Sequence, residues 1–225
     1  MSPETERTLG AIPQRTLGAI LYEQFELLDL YGPLEMFGSL GPELRIVTVA
    51  EKTGPVASAQ GPETVARFDY ASAPQLDLLL LPGGLGTLAQ LGSAPLHEFL
   101  RARSRSAEAT LSVCSGSAIL AKAGLLDGRR ATSNKQFFSL ATSQSDKVDW
   151  VEEARWVEDG PFVTSSGVSA GIDMALAVIA RLYGRERAEA IANLTEYEWQ
   201  SDASRDPFHK YLNQAAELLA GAAPK

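Results

Sequence analysis

The chain is poor in the residues on which most metal and thiol chemistry is built: its 225 residues include one cysteine and two histidines. A single cysteine excludes an internal disulfide, and with two histidines it leaves no zinc-type ligand set at the required spacing. That thiol count suits a reducing cytoplasm. Basic charge is scarce too. Lys and Arg number 20 against 28 Asp and Glu, a formal net charge of -8, and the one basic cluster, RARSR over 101–105, reads as a solvated helix end, so nucleic acid is not an expected partner. Long apolar runs are also missing. The longest, LDLLLLPGG from Leu76, falls far short of the roughly 20 residues a membrane helix needs. The opening MSPETERTLGAIPQRT carries charges and prolines but no apolar core of the signal-peptide kind, so no membrane is expected and residues 1–15 read as a loose tail.

Hydrophobic residues at 45% and charged residues at 21% are the balance of a folded globular chain, and the length favours one domain, over 16–225, rather than two. Short apolar runs bounded by Gly or Pro alternate with segments of helical period, which argues for strand-helix units around a mostly parallel sheet. Strands are predicted over 16–22, 44–50, 76–81, 110–114 and 162–166, each apolar on both faces as a strand covered by helices must be. Leu27, Leu30, Leu34 and Phe37 recur at helical spacing. A second helix opens with Pro95 at its first position, a third runs over 116–123 and stops before Gly124, and a fourth starts at a capping Ser169 and ends at Gly184. Between Gly54 and Pro74 the chain reads as an irregular or hairpin excursion.

In open parallel sheets reactive groups gather beyond the carboxyl ends of the strands. Three stretches fall there: EQFELLDLYGP after the first strand, PGGLGT after the third and CSGS after the fourth. Cys114 has two readings. It is either a small packing residue at a strand end, or a nucleophile on a tight strand-to-helix turn, with Ser115, Gly116 and Ser117 as the small neighbours such a turn requires. In the second case backbone donors and a helix start favour the thiolate, and its pKa is expected below about 8.5. The glycines of LPGGLG lack a P-loop Lys and dinucleotide spacing, so the loop is expected to aim the Gly84 N–H into the cysteine pocket rather than to hold phosphate. Asp29 sits in the apolar run FELLDLYGP. It is either a helix cap or a carboxyl that needs a partner, in which case it lies within hydrogen-bond reach of the sulfur and is partly protonated. Neither His97, on a polar helix, nor His209, near the C-terminus, falls in a motif bordering Cys114. Both read as surface residues, and no Cys-His pair is expected. Asp173 reads as a structural acid at a helix start. EYEWQSDASRDPF from Glu196 remains open as a dimer contact, a pocket wall or a surface turn.

Four ordered motifs, LLDLYGPLEMF, LDLLLLPGGLGT, LSVCSGSAILAKAGLLDGRRAT and VTSSGVSAGIDMALAVI, resemble the ThiJ/PfpI branch of the class I glutamine amidotransferase-like superfamily, from about Leu17 to Glu198. The resemblance implies a flavodoxin-like α/β three-layer sandwich with a nucleophile elbow at Cys114, a homodimer, and no metal or organic cofactor. An Asp in LDLYGP and a hydroxyl residue after the cysteine are similar to isonitrile hydratase-like members. These imply Cys114 as nucleophile toward a small isocyanide substrate, Asp29 as its proton donor, and an anion pocket lined by Ser115 and Gly84. Two features depart from family patterns. Ser115 stands where amidase-like members carry His, and ATSNKQ, with Asn134 and Lys135, replaces the usual ATTHW, which implies a different pocket wall. The same family admits activity on reactive aldehydes, or a non-enzymatic ligand or redox sensor, although no helix-turn-helix pattern is read after Tyr211.

Overall fold

The computed structural model describes residues 14–221. Its strands are β1 (Arg15–Ile20), β2 (Leu44–Ala50), β3 (Gly54–Ala57), β4 (Glu63–Ala66), β5 (Phe68–Asp69), β6 (Leu78–Leu81), β7 (Ala109–Ser112), β8 (Arg130–Ala131), β9 (Asp149–Trp150), β10 (Trp156–Asp159) and β11 (Phe162–Ser165). The helices are α1 (Leu27–Gly38), α2 (Thr87–Gln90), α3 (Ala94–Ser104), α4 (Gly116–Lys122), α5 (Phe138–Thr142), α6 (Ala170–Tyr183), α7 (Arg185–Leu194) and α8 (Gln214–Gly221). The predicted tail lies almost wholly outside the described residues, but Arg15 does not belong to it. It opens β1 opposite Leu44, and its guanidinium pairs with Glu108 at 3.0 Å.

Seven strands form one sheet in the order β10-β11-β7-β6-β1-β2-β5, parallel throughout except for the β10–β11 edge pair. Leu78, Leu79, Leu80 and Leu81 are all fully buried, as a central strand covered on both faces requires. All five predicted strands are present: the one over 44–50 has the expected bounds, those from 16 and 110 begin one residue earlier and end two residues sooner, and the other two lose residues at one end. β6 begins two residues late, just after Asp77, whose carboxylate accepts the Thr16 N–H at 2.7 Å. The excursion after β2 contains an antiparallel hairpin of β3 and β4. The edge strand β10 was not expected, since WVED is half polar; its Glu158 faces out and pairs with Arg181 at 2.7 Å.

The chain leaves β1 toward β2 on one side, then returns to β6 and β7 on the other. Right-handed crossovers therefore place α1 on one face of the sheet and α3 and α4 on the other. α1 packs against α6, and α6 against α7. The point where the strand order reverses lies between β1 and β6, so the segments leaving β1, β6 and β7 meet over one crevice. The helix caps fall differently from the expectation. The Ser169 side chain makes no capping bond at α6 because its backbone is already helical, whereas Ser93 caps α3 by accepting the Leu96 N–H at 3.3 Å.

Candidate active site

Cys114 lies two residues beyond β7 and immediately before the turn into α4, with φ +57, a left-handed conformation that side-chain-bearing residues seldom adopt. Small neighbours permit it. A Cβ on Gly116 would stand 2.6 Å from the Leu81 carbonyl oxygen, so only glycine lets α4 start this close to the end of β6. The turn is fastened by the Cys114 N–H donating to Ser166 at 3.2 Å, and by Ser117 and Ser133 hydroxyls donating to the Cys114 carbonyl, each at 3.1 Å.

Asp29 is the third residue of α1, fully buried, and not a cap. Pro33, four residues on, has no N–H to give to the Asp29 carbonyl, so that one bond of the helix ladder is missing. One carboxyl oxygen accepts the Gly83 N–H at 2.9 Å, and Oδ1 has no partner. Gly83 must lack a side chain: a Cβ there would lie 2.6 Å from the Ser115 nitrogen and Oγ and 3.0 Å from Asp29 Oδ2. Burial raises the Asp29 pKa to about 8, offset in part by the Gly83 N–H and the neighbouring Cys114 thiol and raised further by the Glu26 charge. At neutral pH this carboxyl keeps its proton.

The expected low thiol pKa is corrected. Burial pushes the Cys114 thiol well up and the Asp29 charge pushes the same way, against smaller lowering by the Ser115 N–H, the Asn134 amide and the Ser115 hydroxyl. Cys114 is 7% exposed, and in so dry a place desolvation of the anion outweighs the few donors around it. The Gly84 expectation also changes. Its N–H is committed to Ser115 Oγ at 3.2 Å and reaches the pocket only through that hydroxyl.

Asn134 proves to be a first contact of the sulfur. Its Nδ2 donates to Sγ at 3.0 Å while its Oδ1 accepts the Phe137 N–H at 3.1 Å, which fixes the amide's orientation. The sequence marked this position only as an altered pocket wall. Lys135 points the other way, buried, with its Nζ donating to Thr132 Oγ1 at 2.7 Å and the Ala154 carbonyl at 2.8 Å. Burial lowers its pKa to about 8 against the pull of Asp206, 3.8 Å away.

Arg155 continues this cluster, donating through Nε to Asp173 Oδ2 at 2.6 Å and standing 3.8 Å from Asp206. Asp173, expected as a dipole acid, is fully buried and also accepts the Tyr197 hydroxyl and the Gln200 N–H, each at 3.0 Å. The segment after Glu196 is thereby strapped onto the start of α6. His209 is exposed as expected, but His97 is not a surface residue: it is 9% exposed, its Nε2 3.0 Å from the Gln90 carbonyl. Neither histidine contacts the sulfur. A cavity of about 420 Å³ opens nearby, beside Tyr22, Glu23, Glu51 and Tyr70, but Cys114 does not line it. Among the described residues no group of three or more His, Cys, Asp or Glu could hold a metal ion, and no helix is long and apolar enough to cross a membrane.

With Cys114 and Asp29 brought to one crevice, the family comparison becomes decisive: the DJ-1/PfpI family model matches residues 17–181. The chain belongs to the DJ-1/PfpI family. It is 32% identical to isonitrile hydratase of Pseudomonas putida over 186 residues, covering 80% of this chain and 78% of that protein. It is 30% identical to the HTH-type transcriptional regulator GbdR of Pseudomonas aeruginosa over 84% of this chain, and spans about half, 53%, of that regulator. Among solved structures, a ThiJ/PfpI family protein from Pseudomonas syringae is similar with a TM-score of 0.78 at 32% identity, covering 98% of this chain and 93% of that one. In this DJ-1/PfpI chain the thiol and the acid come from separate strand ends, and the loop after β6 ties them together.

Proposed function

We propose that this DJ-1/PfpI chain is a cysteine-dependent isonitrile hydratase that adds water to a small isocyanide and releases an N-substituted formamide. The observation that carries the reading is the buried Asp29, whose protonated carboxyl bears an unpartnered oxygen beside Cys114. An isocyanide needs a nucleophile and a proton on the same terminal carbon, and a neutral carboxylic acid next to a thiol supplies both. Cys114 sits on what we read as a nucleophile elbow. Its sulfur forms the C–S bond while the carbon's lone pair takes the Asp29 proton, and the carboxylate left behind takes the thiol proton, giving Cys114–S–CH=N–R. Water then adds to that carbon, the nitrogen is protonated, and the C–S bond breaks to return the thiol and R–NH–CHO. The sum is R–NC plus water, with no external oxidant or reductant.

The similarity to isonitrile hydratase over most of both chains supports this reading. Amide hydrolysis is disfavoured, because expelling an amine calls for proton delivery most often made by a histidine, and neither histidine borders the sulfur. The likeness to a transcriptional regulator over 84% of the chain supports a second reading, a ligand sensor built on the same crevice. A reactive aldehyde would use the same thiol and acid, with the proton going to oxygen. The deciding experiment is formamide production by wild type and Cys114→Ala, side by side, across isocyanides with substituents of several sizes and with 2-oxoaldehydes as controls. Turnover by wild type alone is expected. Absence of wild-type turnover, or equal turnover by both, overturns the hydratase reading, and a stable mass adduct on Cys114 without turnover favours the sensor.

A further inference from the structure

Beyond the thiol and the acid, the crevice contains a chain of hydroxyl groups. The Tyr22 hydroxyl donates to the Pro82 carbonyl at 2.7 Å. Thr87 Oγ1, fully buried at the start of α2, lies 3.2 Å from that same hydroxyl and 2.8 Å from Ser115 Oγ. Ser115 Oγ also accepts the Gly84 N–H at 3.2 Å, and belongs to the residue that follows the nucleophile.

Counting protons limits what this chain can do. The Pro82 carbonyl can only accept, so the Tyr22 proton is spent on it and Tyr22 can only accept from Thr87. Thr87 has one proton and two acceptors. If it donates to Tyr22, Ser115 donates to Thr87, and every hydroxyl is satisfied while the sulfur carries its own proton. If it donates to Ser115, then Ser115 Oγ accepts from both Gly84 and Thr87, and its own proton is free for the sulfur. The first arrangement suits a neutral thiol. The second suits a sulfur that is gaining negative charge, because a hydrogen bond to an anion is about twice as strong as the neutral one it replaces.

We propose that Thr87 is a positioning residue which, by reversing its hydroxyl from Tyr22 to Ser115, releases the Ser115 proton to the Cys114 sulfur as the thiolate forms. Tyr22 is the competing acceptor that holds the resting arrangement. Ser115 adjoins Cys114 in the chain, and one point, a Cβ on Gly83, would lie 2.6 Å from Ser115 Oγ and 3.0 Å from Asp29 Oδ2, which places that hydroxyl in the crevice between thiol and acid. The direction in which it moves the thiol pKa, downward, agrees with donation to the sulfur. The relay deepens the cysteine-dependent reading of the same crevice, yet it concerns the ionisation of the thiol and needs no substrate to be observed.

Because the chain has one cysteine, ultraviolet thiolate titration of the whole protein, referenced to Cys114→Ser, reports this group alone. Thr87→Val removes the relayed donor and is expected to raise the midpoint by about one unit, so that alkylation by iodoacetamide at a fixed pH below it slows about tenfold. Thr87→Ser should restore the wild-type curve. Tyr22→Phe removes the competing acceptor, leaves Ser115 as the only partner for the Thr87 proton, and is expected to shift the midpoint down. Simple loosening of the loop would move both variants the same way, so opposite signs with rescue by Ser support the relay. An unmoved Thr87→Val, or shifts of the same sign, overturns it. Should Thr87→Val fail to fold, the downward shift in Tyr22→Phe decides alone. Absence of isocyanide turnover with the opposite signs intact overturns the hydratase reading and leaves the relay standing.

Discussion

Asp29→Asn separates the stability of the fold from its chemistry. The side chains are nearly isosteric. The Asn oxygen can keep the Gly83 N–H bond of 2.9 Å, and its amide takes the place of the unpartnered Oδ1. In the wild type the carboxyl pKa is raised from 3.8 to about 8 by burial. Between those values the folded state holds a proton that the unfolded chain releases, so folding stability falls as pH rises through this window. Integrated to pH 7, a shift from about 4 to about 8 costs on the order of 4 kcal/mol, a large share of the 5–15 kcal/mol a domain of ordinary stability has. Asn carries no such cost. The two proteins should therefore be about equally stable near pH 4, and the variant should be the more stable at pH 7, while formamide production collapses for want of the proton. The assay is urea unfolding of both proteins at a series of pH values, read as the difference between them, because groups that do not sense Asp29, Lys135 among them, titrate alike in each, while Cys114 and Tyr22, which do sense it, are both raised by burial. Parallel stability profiles from pH 4 to pH 8, or a variant less stable at pH 7, would refute a protonated, desolvated Asp29 and leave the carboxyl as an ordinary structural acceptor.

Three further outcomes are expected. Arg155→Met leaves Asp173 buried without its cation and should cost about 3–5 kcal/mol, measured by urea unfolding, with faster proteolytic cleavage between 197 and 206 as the strap lets go. Gly83→Ala places a methyl 2.6 Å from the Ser115 nitrogen and Oγ, and should abolish turnover while lowering stability by only about 1–3 kcal/mol, seen by comparing kcat with thermal unfolding. Peptide and simple amide substrates should show no Cys114-dependent hydrolysis in a release assay, since His97 is held by the Gln90 carbonyl and His209 is exposed.

The sheet was legible because its signals are local. Five apolar runs bounded by Gly or Pro become five parallel strands, and the spacing of Leu27, Leu30, Leu34 and Phe37 becomes α1. Cys114 and Asp29 stood out in the sequence for a different reason. A carboxyl in an apolar run and a lone thiol at a strand end are costly or idle unless they serve each other, and the strand order brings them together. What escaped was pairing across long stretches of chain. Thr87 and Ser115 are 28 residues apart and Tyr22 and Thr87 65, and neither periodicity nor composition marks a hydroxyl as one link of a relay. The thiol pKa was misjudged because donors can be inferred from a turn motif, whereas desolvation depends on everything packed around it. These two omissions are connected. A sulfur that burial holds neutral cannot rely on a standing thiolate, so it needs a base and a donor that respond as charge develops. In the mechanism proposed above Asp29 would fill the first role by exchanging its proton for the thiol's, and the Thr87–Ser115 pair the second by turning a hydroxyl. The dryness that raises the thiol pKa at rest is then what makes each of those hydrogen bonds strong at the moment of attack.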